Sequence, residues 1–135
     1  MNYTFKVAEH AGDYRACRAL AAAENIPANR LSFPTIMGFE DGKLVGFLAT
    51  DVSQDMVVAG PLVIKSGSRK PRLALKLGEN YELAMRNLGI KSFIMAVQPN
   101  STMAKAIERY GFDMTKYDEK DGWLFYLRRL EWAVA

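Results

Sequence analysis

The sequence has very few of the side chains from which disulfide frameworks and zinc centres are built. Cys17 is the only cysteine and His10 the only histidine among 135 residues. One cysteine cannot form a disulfide within the chain, and this pair cannot supply a zinc cluster, so a metal site would have to rest on carboxylates. Cys17 also falls at helical spacing with other apolar residues, where a cysteine is usually an inert small hydrophobe.

Long apolar runs and a strong charge of one sign are missing as well. No run approaches the roughly 18 residues of a membrane-spanning helix, and the first residues, MNYTFKVAEH, lack the apolar stretch of a signal peptide. We therefore expect a cytoplasmic protein without a membrane partner. The net charge of +3 is too small to indicate a nucleic-acid partner by itself. With 50% apolar residues, the composition predicts a single globular domain over residues 1–135.

Basic residues are nevertheless concentrated in one segment, LVIKSGSRKPRLALKL, over residues 62–77. An apolar run ends there in a small basic loop, and Pro71 then opens a helix. The N–H groups of a helix N-terminus lack partners within the helix and lie at the positive end of its dipole, so the segment predicts an anion site suited to phosphate. It contains no acid, and its five cations are Lys65, Arg69, Lys70, Arg72 and Lys76.

Two other interpretations of this basic segment stay open. The cations could form a solvated charge run before an amphipathic helix. They could also meet the phosphates of a nucleic acid. No aromatic residue is interleaved with them to stack on bases, however, and we expect no nucleic-acid partner.

Turn signals and apolar spacing predict a mixed order of strands and helices. This order predicts one α/β (α+β) sheet with helices packed on it, in which the strands over 56–64 and 91–97 run parallel. The first half of the chain is predicted to form a strand over 4–10, a helix capped by Asp13 and running to 25, a hairpin of 35–40 with 44–50, and a strand over 56–64. The second half is predicted to form a helix over 71–88, a strand over 91–97, a short helix capped by Asn100 or Ser101 and running to 110, and a hairpin of 113–117 with 123–128.

Two of these elements carry more detailed expectations. Gly60 and Pro61 predict a bulge or a splay in the strand over 56–64, because proline cannot donate to a strand ladder. The helix over 71–88 is expected to turn an apolar stripe to the core, formed by Leu73, Leu77, Tyr81, Ala84 and Leu88.

The element order and two short motifs resemble those of the GCN5-related N-acetyltransferases, the GNAT superfamily, across nearly the whole chain. A motif of that family, N-x-x-A-x-x-L-Y-x-x-x-G-F, is similar to this sequence at Asn100 and at residues 111–112. The resemblance implies a mixed, mostly antiparallel sheet of about seven strands with three to four helices. In the family L-x-V-x-P leads into R-x-x-G-x-G/A and a helix, and the residues that fit this pattern are Leu62, Ile64, Arg69 and Ala74.

The resemblance also implies a cofactor and a reaction. The cofactor is acetyl-coenzyme A, whose pyrophosphate the start of the helix would hold. Its acetyl group would pass to a primary amine of a small-molecule or protein acceptor. The residues that would bind the cofactor are Leu62, Val63, Ile64, Ser68, Arg69, Lys70, Arg72, Leu73, Ala74 and Asn100.

Three positions depart from the family's pattern. Ser66 replaces its proline, Arg72 stands where it usually has glycine, and Ile107 stands where it often has the tyrosine that protonates the departing thiolate. Arg72 could bind a phosphate directly or fill the site. The departures favour an alternative function, that of a non-catalytic GNAT-like binding or virion assembly protein. Some small GNAT-like chains encoded by tailed bacteriophages are similar in size and degeneracy.

The sequence does not select a general acid or a general base. Tyr110 is the candidate catalytic acid, but its helical spacing is explained by packing alone. Glu40, Asp51 and Asp55 lie near the predicted central strands as candidate bases, and none is preferred. Trp132 lies beyond the predicted sheet, and we expect it to mark a homodimer contact.

Overall fold

A computed structural model of the chain describes residues 2–28, 30–53, 56–68, 71–97, 99–101, 104–105, 107, 115–120 and 123–130. The described residues form seven strands and two helices, which follow one another in the predicted order. Their bounds are β1 (Tyr3–Val7), α1 (Ala11–Ala23), β2 (Ser32–Glu40), β3 (Lys43–Ser53), β4 (Met56–Ile64), α2 (Pro71–Asn87), β5 (Ser92–Val97), β6 (Thr115–Lys120) and β7 (Trp123–Arg129).

The seven strands form one sheet in the order β1-β2-β3-β4-β5-β7-β6. Every neighbouring pair is antiparallel except β4 and β5, which run parallel. The mostly antiparallel seven-stranded sheet and its parallel strand–helix–strand unit are therefore as predicted. Three to four helices were expected, and the described residues contain two, together with helical residues after β5 at Ala104, Lys105 and Ile107.

Strands β2 and β3 form the hairpin predicted over residues 35–50, with Asp41 and Gly42 as its turn. Glu40 pairs with Lys43, so the connection is two residues long. Both of its residues have positive φ, 51° at Asp41 and 83° at Gly42. Positive φ at both central positions matches the right-handed twist of the flanking strands, and glycine adopts it without steric cost.

The two helices pack on opposite faces of the sheet. Successive side chains of a strand point to opposite faces, and β3 shows the division: Phe47 belongs to the buried cluster with α1, and Leu48 to the cluster with α2. From α1, Cys17 is buried, as its helical spacing predicts, and so is Ala21. Burial raises the pKa of the Cys17 thiol to about 11, so the thiol stays protonated at neutral pH.

Two expectations about the helices need correction. Asp13 is not the N-cap of α1: His10 is, and Asp13 lies in the first turn, where its Oδ2 accepts the N–H of Glu9 at 2.9 Å and that of His10 at 3.3 Å. Leu88 is 49% exposed, because α2 ends at Asn87 and Leu88 lies in the following turn. The buried stripe of α2 instead closes on Met85.

Two paired glycines let α2 approach the sheet closely. Gly38 of β2 and Gly46 of β3 lie directly opposite each other. A Cβ atom at Gly38 would lie 3.2 Å from Cδ2 of Leu77, and one at Gly46 would lie 3.0 Å from the carbonyl oxygen of Val63. The second contact is with the backbone of a core strand, which cannot give way as a side chain can.

Gly46→Ala and Gly12→Ala should therefore change stability in opposite directions. We expect Gly46→Ala to lower the free energy of unfolding by about 1–2 kcal/mol, since its new methyl group overpacks the junction of sheet and helix. Gly12 lies in α1 with no heavy atom within 4 Å of a new Cβ. Its replacement should add up to about 1 kcal/mol through helix propensity. Urea denaturation followed by circular dichroism measures both, and equal effects of the two variants would contradict the steric account.

Candidate functional site

The centre of the candidate site is an irregularity in β4. Leu62 pairs with Leu48 and Ala59 with Thr50, so two residues of β4, Gly60 and Pro61, stand opposite a single residue of β3. This arrangement is a β-bulge, and it confirms the expectation drawn from Gly60 and Pro61. The bulge leaves one residue of β4 outside the regular ladder and changes the direction of the strand.

The bulge coincides with the separation of β4 from β5. Among the described residues, these strands pair at Val58 with Ile94 and at Ala59 with Met95 and nowhere else. Beyond Ala59, the carboxyl-terminal half of β4 pairs with β3 but not with the described residues of β5. The sheet is thus open along this half of β4, where a backbone edge is available to a ligand that hydrogen-bonds as a strand does.

A tight turn connects the open half of β4 to the segment before α2. The N–H of Lys65 donates to the carbonyl of Val45 at 2.8 Å, and the N–H of Ser68 donates to the carbonyl of Lys65 at 3.0 Å. Gly67 has a φ of 91°, which glycine adopts without steric cost. The helix α2 then starts at Pro71. An anion at this end would meet the unpartnered N–H groups of the first helical turn.

The cations of the basic segment differ in their availability. Lys65 and Arg72 are exposed at the two ends of the connection. Lys76 is partly engaged, because its Nζ lies 3.4 Å from Oε2 of Glu79. Arg69 and Lys70 lie outside the described residues. Two exposed cations therefore flank the start of α2 within the described part of the chain.

Most of the other predicted cofactor-binding residues are committed to the core through their side chains. Val63, Ile64, Leu73 and Ala74 are all buried. Val63 belongs to the cluster under α1, and the other three to the cluster under α2. Their side chains are therefore not available to a ligand. Leu62 is half-buried, and so is Ser68, whose N–H is already used within the turn.

The predicted residues after β5 lie at the same edge of the sheet. Because β4 and β5 run parallel, their carboxyl ends meet there. Asn100 is exposed with a φ of 65°, and the helical cap is Ser101, whose Oγ accepts the N–H of Ala104 at 3.2 Å. Ile107 is buried. Tyr110 lies outside the described residues, and so does Trp132.

A contact that the sequence did not predict joins α1 to the turn after β4. The hydroxyl of Ser66 donates to Oε1 of Glu24 at 2.7 Å. Glu24 follows the last residue of α1 and is the C-cap of that helix. The two residues are 42 positions apart in the sequence, so no local pattern signals this contact. It holds the end of α1 beside the basic segment.

A buried hydroxyl network lies next to the bulge on the α2 side of the sheet. Oγ1 of Thr50 donates to the carbonyl of Pro34 at 2.7 Å and lies 2.7 Å from the hydroxyl of Tyr81. Since the single proton of Thr50 goes to Pro34, Tyr81 donates to Thr50. The Tyr81 ring also packs edge-on against Phe93 of β5, with centroids 5.2 Å apart. Tyr81 therefore connects β3 and β5 on either side of the bulged strand.

Arg72 lies close to the first hairpin of the sheet. Tyr3 and Glu40 are cross-strand partners there, and the hydroxyl of Tyr3 and Oε2 of Glu40 are buried without a hydrogen-bond partner among the described residues. Burial and the charge of Glu40 raise the pKa of Tyr3, whereas the positive charge of Arg72 lowers it. Arg72 itself is exposed at the start of α2.

The three candidate bases separate in space. Glu40 ends β2 and pairs with Lys43 beside the β2–β3 turn, far from the bulge. Asp51 follows Thr50 in β3 and pairs with Val58, the residue of the first β4–β5 rung. Asp55 lies outside the described residues. Of the two described carboxylates, only Asp51 is near the point where β4 and β5 part.

Several solved structures that this chain is similar to are N-acetyltransferases. The ribosomal-protein-S18-alanine N-acetyltransferase of Escherichia coli matches with a TM-score of 0.67 at 16% identity, over 96% of this chain and 94% of that one. An N-acetyltransferase of Staphylococcus aureus Mu50 matches with a TM-score of 0.69 at 13% identity, over 97% and 99%. The N-acetylglutamate synthase of Neisseria gonorrhoeae, complexed with coenzyme A and N-acetyl-glutamate, matches at 0.66 and 16%, over 96% of this chain and 35% of that one.

These likenesses establish the fold. The chain has the fold of the GNAT superfamily, as the resemblance in sequence implied. The sequence itself matches no protein-family model and no curated protein. No helix in the described part of the chain has the length and apolar character that crossing a bilayer requires. The comparison with phage-encoded chains gains no support from the structural matches.

Tyr81→Phe should lower stability and change its dependence on alkaline pH. Loss of the buried hydrogen bond to Thr50 should cost about 1 kcal/mol of unfolding free energy. Burial raises the pKa of Tyr81 to about 12 from the 10.0 of an exposed tyrosine. The folded state therefore binds this proton more tightly, and the stability it contributes is complete below pH 10 and is lost as the pH rises toward 12.

Chemical denaturation between pH 8 and pH 11 tests this expectation, with Thr50→Ser as the control that keeps the hydroxyl. The wild type should lose more stability than Tyr81→Phe above about pH 10, since the variant lacks the linked proton. Parallel curves for the two proteins would show that Tyr81 is not buried with its hydroxyl protonated.

Proposed function

We propose that the protein is an N-acetyltransferase that passes the acetyl group of acetyl-coenzyme A to a primary amine. One observation carries the proposal: the open edge of β4 leads, through one short basic connection, to the N-terminus of α2. A thioester-bearing arm that hydrogen-bonds along a strand and ends in a pyrophosphate has the shape and charge to occupy both features together.

Acetyl-coenzyme A fits the residues at this site. The backbone of β4 from Leu62 to Ile64 would pair with the amide groups of its pantetheine arm. The pyrophosphate would lie at the first turn of α2, where Lys65 and Arg72 are exposed and where charge and N–H donors coincide. Arg69 and Lys70 are further proposed ligands on the strength of their charge in the sequence. Asn100 lies at the same edge and would border the cofactor.

The proposed reaction needs positioning more than special acid–base groups. The ammonium form of the acceptor loses one proton, and the nitrogen bonds to the thioester carbon. The C–S bond then breaks, the nitrogen gives up a second proton, and the departing thiolate takes one up, so that an amide, free coenzyme A and one proton are formed. Holding amine and thioester together in the right geometry accounts for much of the rate enhancement that such a site can give.

A second candidate function is a GNAT-like protein that binds coenzyme A without catalysis. The observation in its favour is the burial of Ile107 at the position where the family often has the acid tyrosine. A buried isoleucine cannot donate a proton to the thiolate. Tyr110, the weak candidate for this role, would have to supply the proton if catalysis needs one from the protein.

Calorimetric titration with acetyl-coenzyme A, followed by a thiol-release assay with a panel of amines and peptides, tests the proposal. Saturable binding together with acceptor-dependent release of coenzyme A would support the acetyltransferase. Binding without release from any acceptor would favour the non-catalytic protein. No heat of binding at high micromolar cofactor would overturn both, since both place coenzyme A in the opening beside β4.

Arg72→Ala should weaken the binding of acetyl-coenzyme A. Because Arg72 is exposed at the first turn of α2, we expect it to attract the phosphates, and its loss should raise the Kd by about threefold to tenfold at low salt. Arg15→Ala removes an equally exposed cation from α1 and should leave the Kd unchanged. Tighter binding by Arg72→Ala would show that the side chain obstructs the site.

A further inference from the structure

Asp51 occupies a distinctive position in β3, directly beside the bulge. It pairs with Val58 of β4, and the preceding residue, Thr50, pairs with Ala59. Val58 and Ala59 also form the only two β4–β5 pairs in the described residues. From strand spacing and rise, the Cα atom of Asp51 lies roughly 6 Å from that of Ala59. The carboxylate is thus placed next to the point where β4 and β5 begin to separate.

The carboxylate of Asp51 has one buried oxygen without a hydrogen-bond donor in the described part of the chain. Its Oδ1 is buried and has no hydrogen-bond partner among the described residues, although the residue as a whole is only half-buried. A carboxylate oxygen removed from water is costly unless a donor or a cation satisfies it. Such a group beside the opening in the sheet is a candidate for recognising a positively charged ligand.

Asp51 lies on the α1 side of the sheet. Thr50 faces α2, so Asp51, the next residue, faces the α1 side of the sheet. On the α2 side, the buried rings of Tyr81 and Phe93 fill the space next to the bulge. An amine that approaches this opening from the α1 side would therefore pass the carboxylate of Asp51.

Glu40, the other described carboxylate with a buried oxygen that lacks a partner, lies too far from the bulge to bind a ligand there. Glu40 is at the far end of the β2–β3 hairpin, where it pairs with Lys43. Lys43 and Thr50 are seven positions apart in β3, a distance of roughly 20 Å along a strand. Glu40 instead provides a control of the same kind, since its Oε2 is also buried without a partner among the described residues.

We propose that Asp51 binds the ammonium group of the acceptor and makes the site selective for positively charged amines over neutral groups of the same size. This inference rests on the proposed acetyltransferase function, which brings the acceptor to the bulge. Asp51 supplies a charge-assisted hydrogen bond that holds the amine on the α1 side of the thioester. The acceptor is then a primary amine that carries its charge when it binds.

The test is a titration of the isotopically labelled protein with n-butylammonium chloride, followed by NMR, with butan-1-ol as the neutral match. In the wild type we expect saturable shifts of the Asp51 and Val58 amide signals with the amine and not with the alcohol. Asp51→Asn should weaken this binding by about tenfold or more, since a hydrogen bond to a charged group is lost. Glu40→Gln should bind n-butylammonium as the wild type does.

Two results would overturn the inference: unchanged amine affinity in Asp51→Asn, or the absence of a saturable shift in the wild type. The thermal unfolding midpoint of Asp51→Asn should equal or exceed that of the wild type, because the variant removes an unpartnered charge. Acetyl-coenzyme A affinity should stay within about twofold in Asp51→Asn, since Asp51 does not lie at the phosphate end. The amine titration is done without cofactor and tests only the inference about Asp51. The proposed acetyltransferase function is tested separately, by the binding of acetyl-coenzyme A.

Discussion

The missing N–H of Pro61 is the constraint from which the candidate site develops. Gly60 and Pro61 cannot continue the regular ladder, so β4 carries an extra residue against β3 and leaves β5 after Ala59. The separation turns a continuous sheet into one with an open edge in its centre. Everything assigned to the site is placed relative to this edge: the basic connection beyond it, the start of α2, and the carboxylate of Asp51 beside it.

The opening persists because the elements around it are fixed from both faces of the sheet. On one side, the glycine pair of Gly38 and Gly46 brings α2 close to the strands, and Tyr81 joins β3 to β5 across the bulge. On the other side, the contact of Ser66 with Glu24 holds the end of α1 beside the basic connection. A rigid surround of this kind preorganises a site, since ligand binding then costs little reordering.

Much of this architecture could be predicted from local patterns. The Asp-Gly turn, the helix start at Pro71, the bulge and the parallel pairing of β4 with β5 all follow from rules on turns, proline and chain crossover. Predictions failed where a local rule had two solutions. The sequence predicts Asp13 as the cap of α1, but Asp13 lies within the first turn and accepts the N–H groups of Glu9 and His10. Leu88 continues the apolar spacing of α2 past its last helical residue.

The sequence by itself determined which chemical groups are available: a helix start with basic residues before it, no cysteine or histidine cluster, and a strand that had to be irregular. Only the tertiary structure decided which groups meet. The pairing of Tyr81 with Thr50 and the placement of Asp51 rather than Glu40 beside the opening depend on strand register and on which face each residue presents. Register is set by contacts between residues distant in the sequence, and no local pattern records them.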